Sequence, residues 1–371
     1  MGQPQLGSHV GSLDGIVVLD ISRLLPGPMC SWYLRGLGAD VIRVDDPKRP
    51  DYLRLVPPKT AGGVSAWFSA VNAGKRSISL DLFSVQGSAD LRRMLSRCDV
   101  LLESYRPGVM AHIGLDPRSL CKEFPRLIVG SITGFGQTGP LRSVPGHDLG
   151  YCAVSGLLAT AVRRDGLPDV PGVQSADIAG GALTGALAIA AALVERERTG
   201  QGQWLDISMT EGALAMAALE IASTAVSGNC PDPGRTPLTG GTSVYGLYRC
   251  ADGKGISFAA LEPKFQDTFR RLVGGDVSLD RESLTALFAT RTRDEWAAEL
   301  GEACVTPILE LDEVANHPQH QARGAFIGTG PEVRVKPPFA GSDGMMTASA
   351  PHVGEHTPAI RAEFGLDEEQ S

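Results

Sequence analysis

The chain has 371 residues, of which 43% are hydrophobic and 20% charged, and a formal net charge of −8. That length exceeds one small core and predicts a large domain with a smaller one, and the ordinary composition excludes long disordered tails. The acidic balance excludes a general pull toward nucleic acid or an anionic membrane, so any anionic ligand must be held by locally placed cations. The opening dozen residues are polar and Gly-rich and read as a loose tail, without the basic and then apolar run of a secretory signal.

GIVVLD (15–20) reads as a buried strand, SRLLPGP turns the chain into an apolar helix over 29–37 that ends at Gly38, and ADVIRVD (39–45) is a second strand. Strand, helix and strand joined by short connections are the unit of a parallel sheet. The unit recurs as RSISLDL (76–82), a helix over 88–96, DVLLES (99–104) and RLIVGSIT (126–133). The prediction is an α/β fold: a Rossmann-like large domain with an open parallel sheet, plus a smaller α+β domain. A helix is expected from Asp177 to Arg198, then a glycine-rich stop (TGQGQ), the strand WLDISM and a second helix over 210–226. The most apolar stretch, 182–194, reads as a buried helix too short to cross a bilayer. The Pro- and Gly-rich run at 227–241 is the expected domain boundary, dividing the chain into 13–226, a small domain at 227–313 with a hairpin near 251–253, and a return segment at 314–371.

Seven scattered cysteines without a CxxC pair predict reduced thiols in a cytosol-like compartment and no structural zinc. GFGQTG (134–139) matches a dinucleotide-binding glycine pattern, but Pro140 follows where a helix would have to open, so the context argues against it. His317 and His320 flank Pro318 with no thiol or carboxylate group around them and read as a surface loop. His147, in PGHDLG, is by residue type alone either a structural histidine or an acid/base. Asp177 stands at a predicted helix start, where an Asp is either an N-cap or a catalytic group, and Gly180, Gly181 and Gly185 would let a ligand approach that end.

The strings LDGIVVLDISRLLPGPMCSWYLRGLGADVIRVD, ESYRPGVMAHIGLDP, GHDLGYCAVSGLL, ADIAGGALTGALAIAAALVERERTGQGQWLDISMTEGAL and FAALEPKF occur in order between Leu13 and Phe326. This run resembles the family III coenzyme A transferase and α-methylacyl-CoA racemase superfamily. The resemblance implies an acyl-CoA thioester as substrate, coenzyme A entering only as part of it, and an interlocked homodimer; the cysteine usage and the acidic charge add the expectation of a cytoplasmic setting without membrane or nucleic acid. It puts Asp177 on the family's reacting aspartate, a nucleophile in transferases and an acid/base in racemases. The GHD string resembles the racemase branch, with His147 as second acid/base and Glu262 reaching it from the partner subunit. The transferase glycine loop is reduced to Thr239-Gly240-Gly241-Thr242, a further mark of the racemase branch. Gly146, Asp148 and Tyr151 join the implied binding set, and Arg43, Lys75, Arg76 and Arg106 match its basic positions for the CoA phosphates. Val173 stands where racemases often carry an Asn that bonds the aspartate, leaving Gln174 as the expected substitute. Amides at the Asp177 helix start are the expected oxyanion donors.

Overall fold

A computed structural model describes residues 11–164, 166–339 and 348–367. Ten of the dozen residues of the expected tail lie outside that range. The chain forms two compact units. The first comprises 1–155, 172–216 and 324–371, and the second 156–171 and 217–323.

The first unit is built on six parallel strands: β1 (Val17–Asp20), β2 (Asp40–Asp45), β3 (Arg76–Ser79), β4 (Val100–Glu103), β5 (Ile128–Thr133) and β6 (Trp204–Ser208), in the order β3-β2-β1-β4-β5-β6. The order reverses between β1 and β4, so the loops leaving their carboxyl ends diverge and open a crevice, the usual ligand position in such sheets. Both faces of the sheet are covered, which is why the strands read as continuous apolar runs. On one face Leu101 and Val129 pack with Leu91 and Met94 of α3 (Val85–Leu95), Leu120 of α4 (Pro117–Glu123) and Ile360 of the C-terminal helix Thr357–Phe364. On the other, Gly130 lies against Ile189 in the long apolar helix α6 (Ala176–Thr199). Helix α1 (Pro26–Gly36) opens with Pro26 at its first position, where proline's fixed φ suits a helix start. The element therefore begins three residues before the expected 29.

Helix α6 has 24 residues and is long and apolar enough to cross a membrane by length and composition alone, which corrects the shorter estimate. Its packing is that of a core helix: Gly180, Gly181, Ala182, Gly185, Ala186 and Ile189 are buried, and Arg196 within it pairs with Asp99 at 2.9 Å. The single helix expected over 210–226 is two, α7 (Met209–Met216) and α8 (Ala218–Ser227), broken at Ala217. The boundary between the compact units falls at this break and not at 227, because α7 packs with α6 in the first unit while α8 buries none of its residues. Two further shifts follow from the same contacts: residues 156–171 join the second unit, and the return to the first begins at Gly324.

The second unit is α+β. Strands Tyr245–Arg249, Gly255–Ala259 and Val305–Pro307 form an antiparallel sheet. Its aromatic core of Phe258, Phe269, Phe288 and Trp296 is shared with the helices Pro263–Val273, Arg281–Phe288 and Arg293–Leu300.

Candidate active site

Three loops leaving carboxyl ends of the sheet, after β1, β4 and β5, supply Arg23 and Leu24, then Ser104 to Pro107, then Gly134 and Phe135 to one cavity of about 390 Å³ in the first unit. His147 and Asp177 complete its wall, together with Gly146 and Tyr151. Residues 30 apart in sequence thus meet at the mouth of the topological reversal.

Local chemistry explains how each arrives there. His147 is the extended residue before helix α5 (Asp148–Val154), and its side chain is exposed. The loop that carries it is pinned by Tyr151, whose hydroxyl donates to the Gly146 carbonyl at 2.6 Å and whose ring meets Phe135 edge-on at 5.1 Å. A side chain at Gly134 or Gly146 would lie within 2.3 or 2.6 Å of the Tyr151 ring, so both glycines make room for it. GFGQTG therefore serves as a clasp around Tyr151. Thr210 holds it through the Gly134 carbonyl (amide 3.0 Å, hydroxyl 2.7 Å), and Asp206 holds the Gln137 amide. Burial, with help from Asp177, pushes the Tyr151 hydroxyl up to about 12, so it stays a proton donor at neutral pH.

Asp177 is the second residue of α6, whose opening residues Ala176–Leu183 have π-type winding, a local anomaly found often at functional sites. It is not an N-cap: its own amide donates to Asp148 Oδ1 at 2.9 Å. That bond occupies one of the helix-start amides expected to serve as oxyanion donors. Neither Val173 nor Gln174 supplies the bond of the missing Asn: Val173 is exposed, and the Gln174 contact is a backbone one, its carbonyl accepting the Ile178 amide at 2.9 Å. Gly180 does not open a ligand path, because a Cβ there would sit 2.4 Å from the Met209 carbonyl oxygen, and one on Gly212 would sit 2.3 Å from Gly180. This glycine pair lets α6 and α7 approach closely, and so fixes the helix that carries Asp177. Burial, reinforced by the neighbouring Asp148 charge, raises the Asp177 carboxyl to about 7. A carboxyl poised there can both take and return a proton at neutral pH.

Of the four expected phosphate-binding cations, the structure brings only Arg106 to this cavity, where it is exposed. Lys75 is buried and its ammonium is bonded to Ser31 (2.7 Å), the Pro28 carbonyl (2.8 Å), Asn72 (2.9 Å) and Asp20 (3.3 Å). Arg43 lies inside β2 and spends its charge on Asp45 (3.0 Å) and Asp51 (2.8 Å), with 1% of its side chain exposed. Arg76 is taken by Asp40 and by Glu363 of the C-terminal helix (2.6 Å). Three buried aspartates needed cations inside the fold, and Lys75 and Arg43 meet that need, Arg43 while also bordering a smaller cavity. Two arginines that sequence reasoning missed, Arg23 and Arg142, border the cavity instead. The position of Arg23, three residues past β1 at the reversal of strand order, was the available signal. Arg142 sits just beyond the glycine motif set aside as uninformative.

Arg23 and Tyr105 also border a smaller cavity of about 60 Å³ at the carboxyl ends of β1 to β4, where Arg49 lies 3.6 Å over the Phe83 ring. Glu262 lies in the second unit, exposed, as the residue before the helix Pro263–Val273, and is not among the residues lining the larger cavity. Among the described residues no three metal-ligating side chains cluster, and all seven cysteines are free. His317 caps the short helix Pro318–Ala322 by accepting the Gln319 amide.

The CoA-transferase family III model matches residues 13–357. Human alpha-methylacyl-CoA racemase is 37% identical over 97% of this chain and 95% of its own. Acetyl-CoA:oxalate CoA-transferase of Acetobacter aceti is 32% identical over 96% of this chain and 97% of its own. The crystal structure of a CAIB/BAIF family protein from Brucella suis superposes with a TM-score of 0.84 at 32% identity, covering 96% of this chain and all of that one. A match along almost the whole length, together with a parallel six-stranded sheet, means that this chain belongs to CoA-transferase family III.

Proposed function

We propose that the protein racemises 2-methylacyl-CoA thioesters, moving the α-proton between Asp177 and His147 through an enolate. The observation that carries this reading is the pairing, on one cavity wall, of a histidine with a carboxyl raised to about 7. The α-proton of a thioester is weakly acidic, so its removal at neutral pH needs a positioned base and a stabilised enolate oxygen. With one group on each face of the α-carbon, a proton taken by one and returned by the other inverts the centre. The Asp148 and Leu149 amides that open α5 directly after His147 have no acceptor within the helix, and in our reading they replace the Asp177 amide as oxyanion donors. Neither proton transfer needs a metal or a redox group.

Coenzyme A brings a pyrophosphate and a 3′-phosphate, which an acidic protein must meet with local cations. Arg23, Arg106 and Arg142 border the larger cavity, and Arg23 also borders the smaller one beside Arg49 and Phe83. We place the thioester in the larger cavity, with the phosphates of the nucleotide near Arg23, Arg106 and Arg142 at its border. Glu262 enters this scheme as a residue of a second copy, steadying His147 in an interlocked homodimer in the cytoplasm. The relative that bears the racemase name is the more similar of the two relatives described, and His147 has no evident use in acyl transfer through Asp177.

The test is incubation with one enantiomer of a 2-methylacyl-CoA in deuterated water, with and without a free carboxylic acid. Deuterium at the α-carbon without acceptor, and an unmodified Asp177 peptide, are expected. Acceptor-dependent turnover with a hydroxylamine-trapped adduct on that peptide would instead make the protein a CoA transferase with Asp177 as nucleophile.

A further inference from the structure

Glu103, the last residue of β4, is 2% exposed and has no cation bonded to it among the described residues, although the loop it precedes carries Tyr105 and Arg106 to the cavity. Its Oε2 accepts the Tyr105 amide at 2.7 Å, and it is also hydrogen-bonded to the Ser131 hydroxyl across the β4–β5 pairing. Ser131 in turn accepts the Trp204 indole N–H at 2.9 Å from β6. The chain of bonds ties three adjacent strands to the first amide turn of the loop. Glu103 shares a second small cavity, of about 60 Å³, with Arg106, Pro107, Asp116, Gln137 and Trp204.

We propose that Glu103 is a positioning residue for substrate binding: its carboxylate, anchored on Ser131, turns the Tyr105 amide inward and thereby directs Tyr105 and Arg106 onto the cavity wall. A buried carboxylate left without a cation is costly, and burial, aided by Asp206, raises this one to about 7. Nothing in the strand itself needs the charge, since a threonine or valine would pair as well. A carboxyl at this position is explained by the loop it holds: its Oε2 accepts the Tyr105 amide at 2.7 Å, and the bond is strongest in the fraction that is ionised. The proposal rests on the reading of the larger cavity as the acyl-CoA site.

The test is Glu103→Gln, which keeps the shape and removes the charge, measured three ways: KM and kcat for α-proton exchange of a 2-methylacyl-CoA, affinity for free coenzyme A by calorimetry, and amide hydrogen exchange of the peptide 104–110 without ligand. Weakening of one charged contact predicts a KM and a Kd raised about tenfold, with kcat changed much less. Faster exchange in 104–110 is also expected. In an Arg106→Ala background, Glu103→Gln should add little to KM, because the effect is transmitted through Arg106. Unchanged KM and unchanged exchange would overturn the proposal, and so would a full effect in the Arg106→Ala background. Should the wild-type protein fail to bind coenzyme A, the functional reading fails separately, and the exchange of 104–110 alone decides whether Glu103 holds the loop. If Glu103→Gln does not fold, Glu103→Asp, with its shorter reach, gives the same readouts.

Discussion

Two buried acidic regions of the first unit are held in opposite ways. Around Asp20 the fold supplies cations: burial pushes this carboxyl up, but Lys75, Arg43 and the hydroxyls of Ser22 and Ser31 together outweigh it and hold it below the usual carboxylate range. At Asp177 no cation offsets burial, although arginines border the same cavity: burial and the Asp148 charge act on it together, and it rises to about 7. The difference teaches that burial alone does not decide protonation here; ownership of a cation does. The first arrangement stabilises the sheet, and the second leaves an uncompensated group of the kind that the proposed proton transfer would use.

The sharpest break of this contrast is Lys75→Met, which would leave Asp20 buried and short of its ammonium. Burial lowers Lys75 to about 8, so it is charged at pH 7 and the pair is intact there. The expected loss is about 3–5 kcal/mol of stability, or failure to fold, read by chemical denaturation.

Asp177→Asn should do the reverse, lowering α-proton exchange by about 10²–10⁴-fold while the denaturation midpoint holds or rises. The sign follows from the raised carboxyl: ionising a group whose folded value exceeds its ordinary one costs the folded state, a cost that grows as pH rises from about 4 to about 7 and that Asn removes. Exchange of the enantiomer that Asp177 deprotonates should rise with pH through about 7, and that of the other, to which Asp177 must donate, should fall.

Asp148→Asn keeps an acceptor for the Asp177 amide but removes the nearby charge. The midpoint near pH 7 should then move down, by about one unit or less because burial is the larger cause. A midpoint that stays in place would mean the two carboxylates do not interact.

The smallest effects compare an unpaired cation with a paired one. Arg106→Ala should raise KM for the CoA thioester about tenfold. Arg76→Ala should leave KM unchanged and cost no more than about 1 kcal/mol, since its pairs with Asp40 and Glu363 are partly exposed. Equal effects on KM would erase the distinction drawn between spent and free cations.

The strands, their parallel arrangement and the pair His147 and Asp177 were legible because each rests on a local pattern or a continuous motif. Apolar runs of four to six residues separated by helical spacing leave few alternatives to a parallel sheet. The chain's acidity pointed to local cations, but not to which ones. Arg43, Lys75 and Arg76 looked as available as Arg106 because a sequence records a charge without its partner. Asp20, Asp45, Asp51 and Glu363 claim the first three only after strands far apart in the chain are side by side. The same holds for Gly180, whose purpose is the approach of Gly212 some thirty residues later, and for the break at Ala217, which divides one apolar run between two units. Residue type and spacing by themselves determined the sheet and the rough course of its helices, while His147 and Asp177 were singled out only by the motifs that resemble the family. Tertiary structure alone decided which charges are neutralised, which amides are taken and how far Asp177 rises, because each depends on distances between residues remote in sequence.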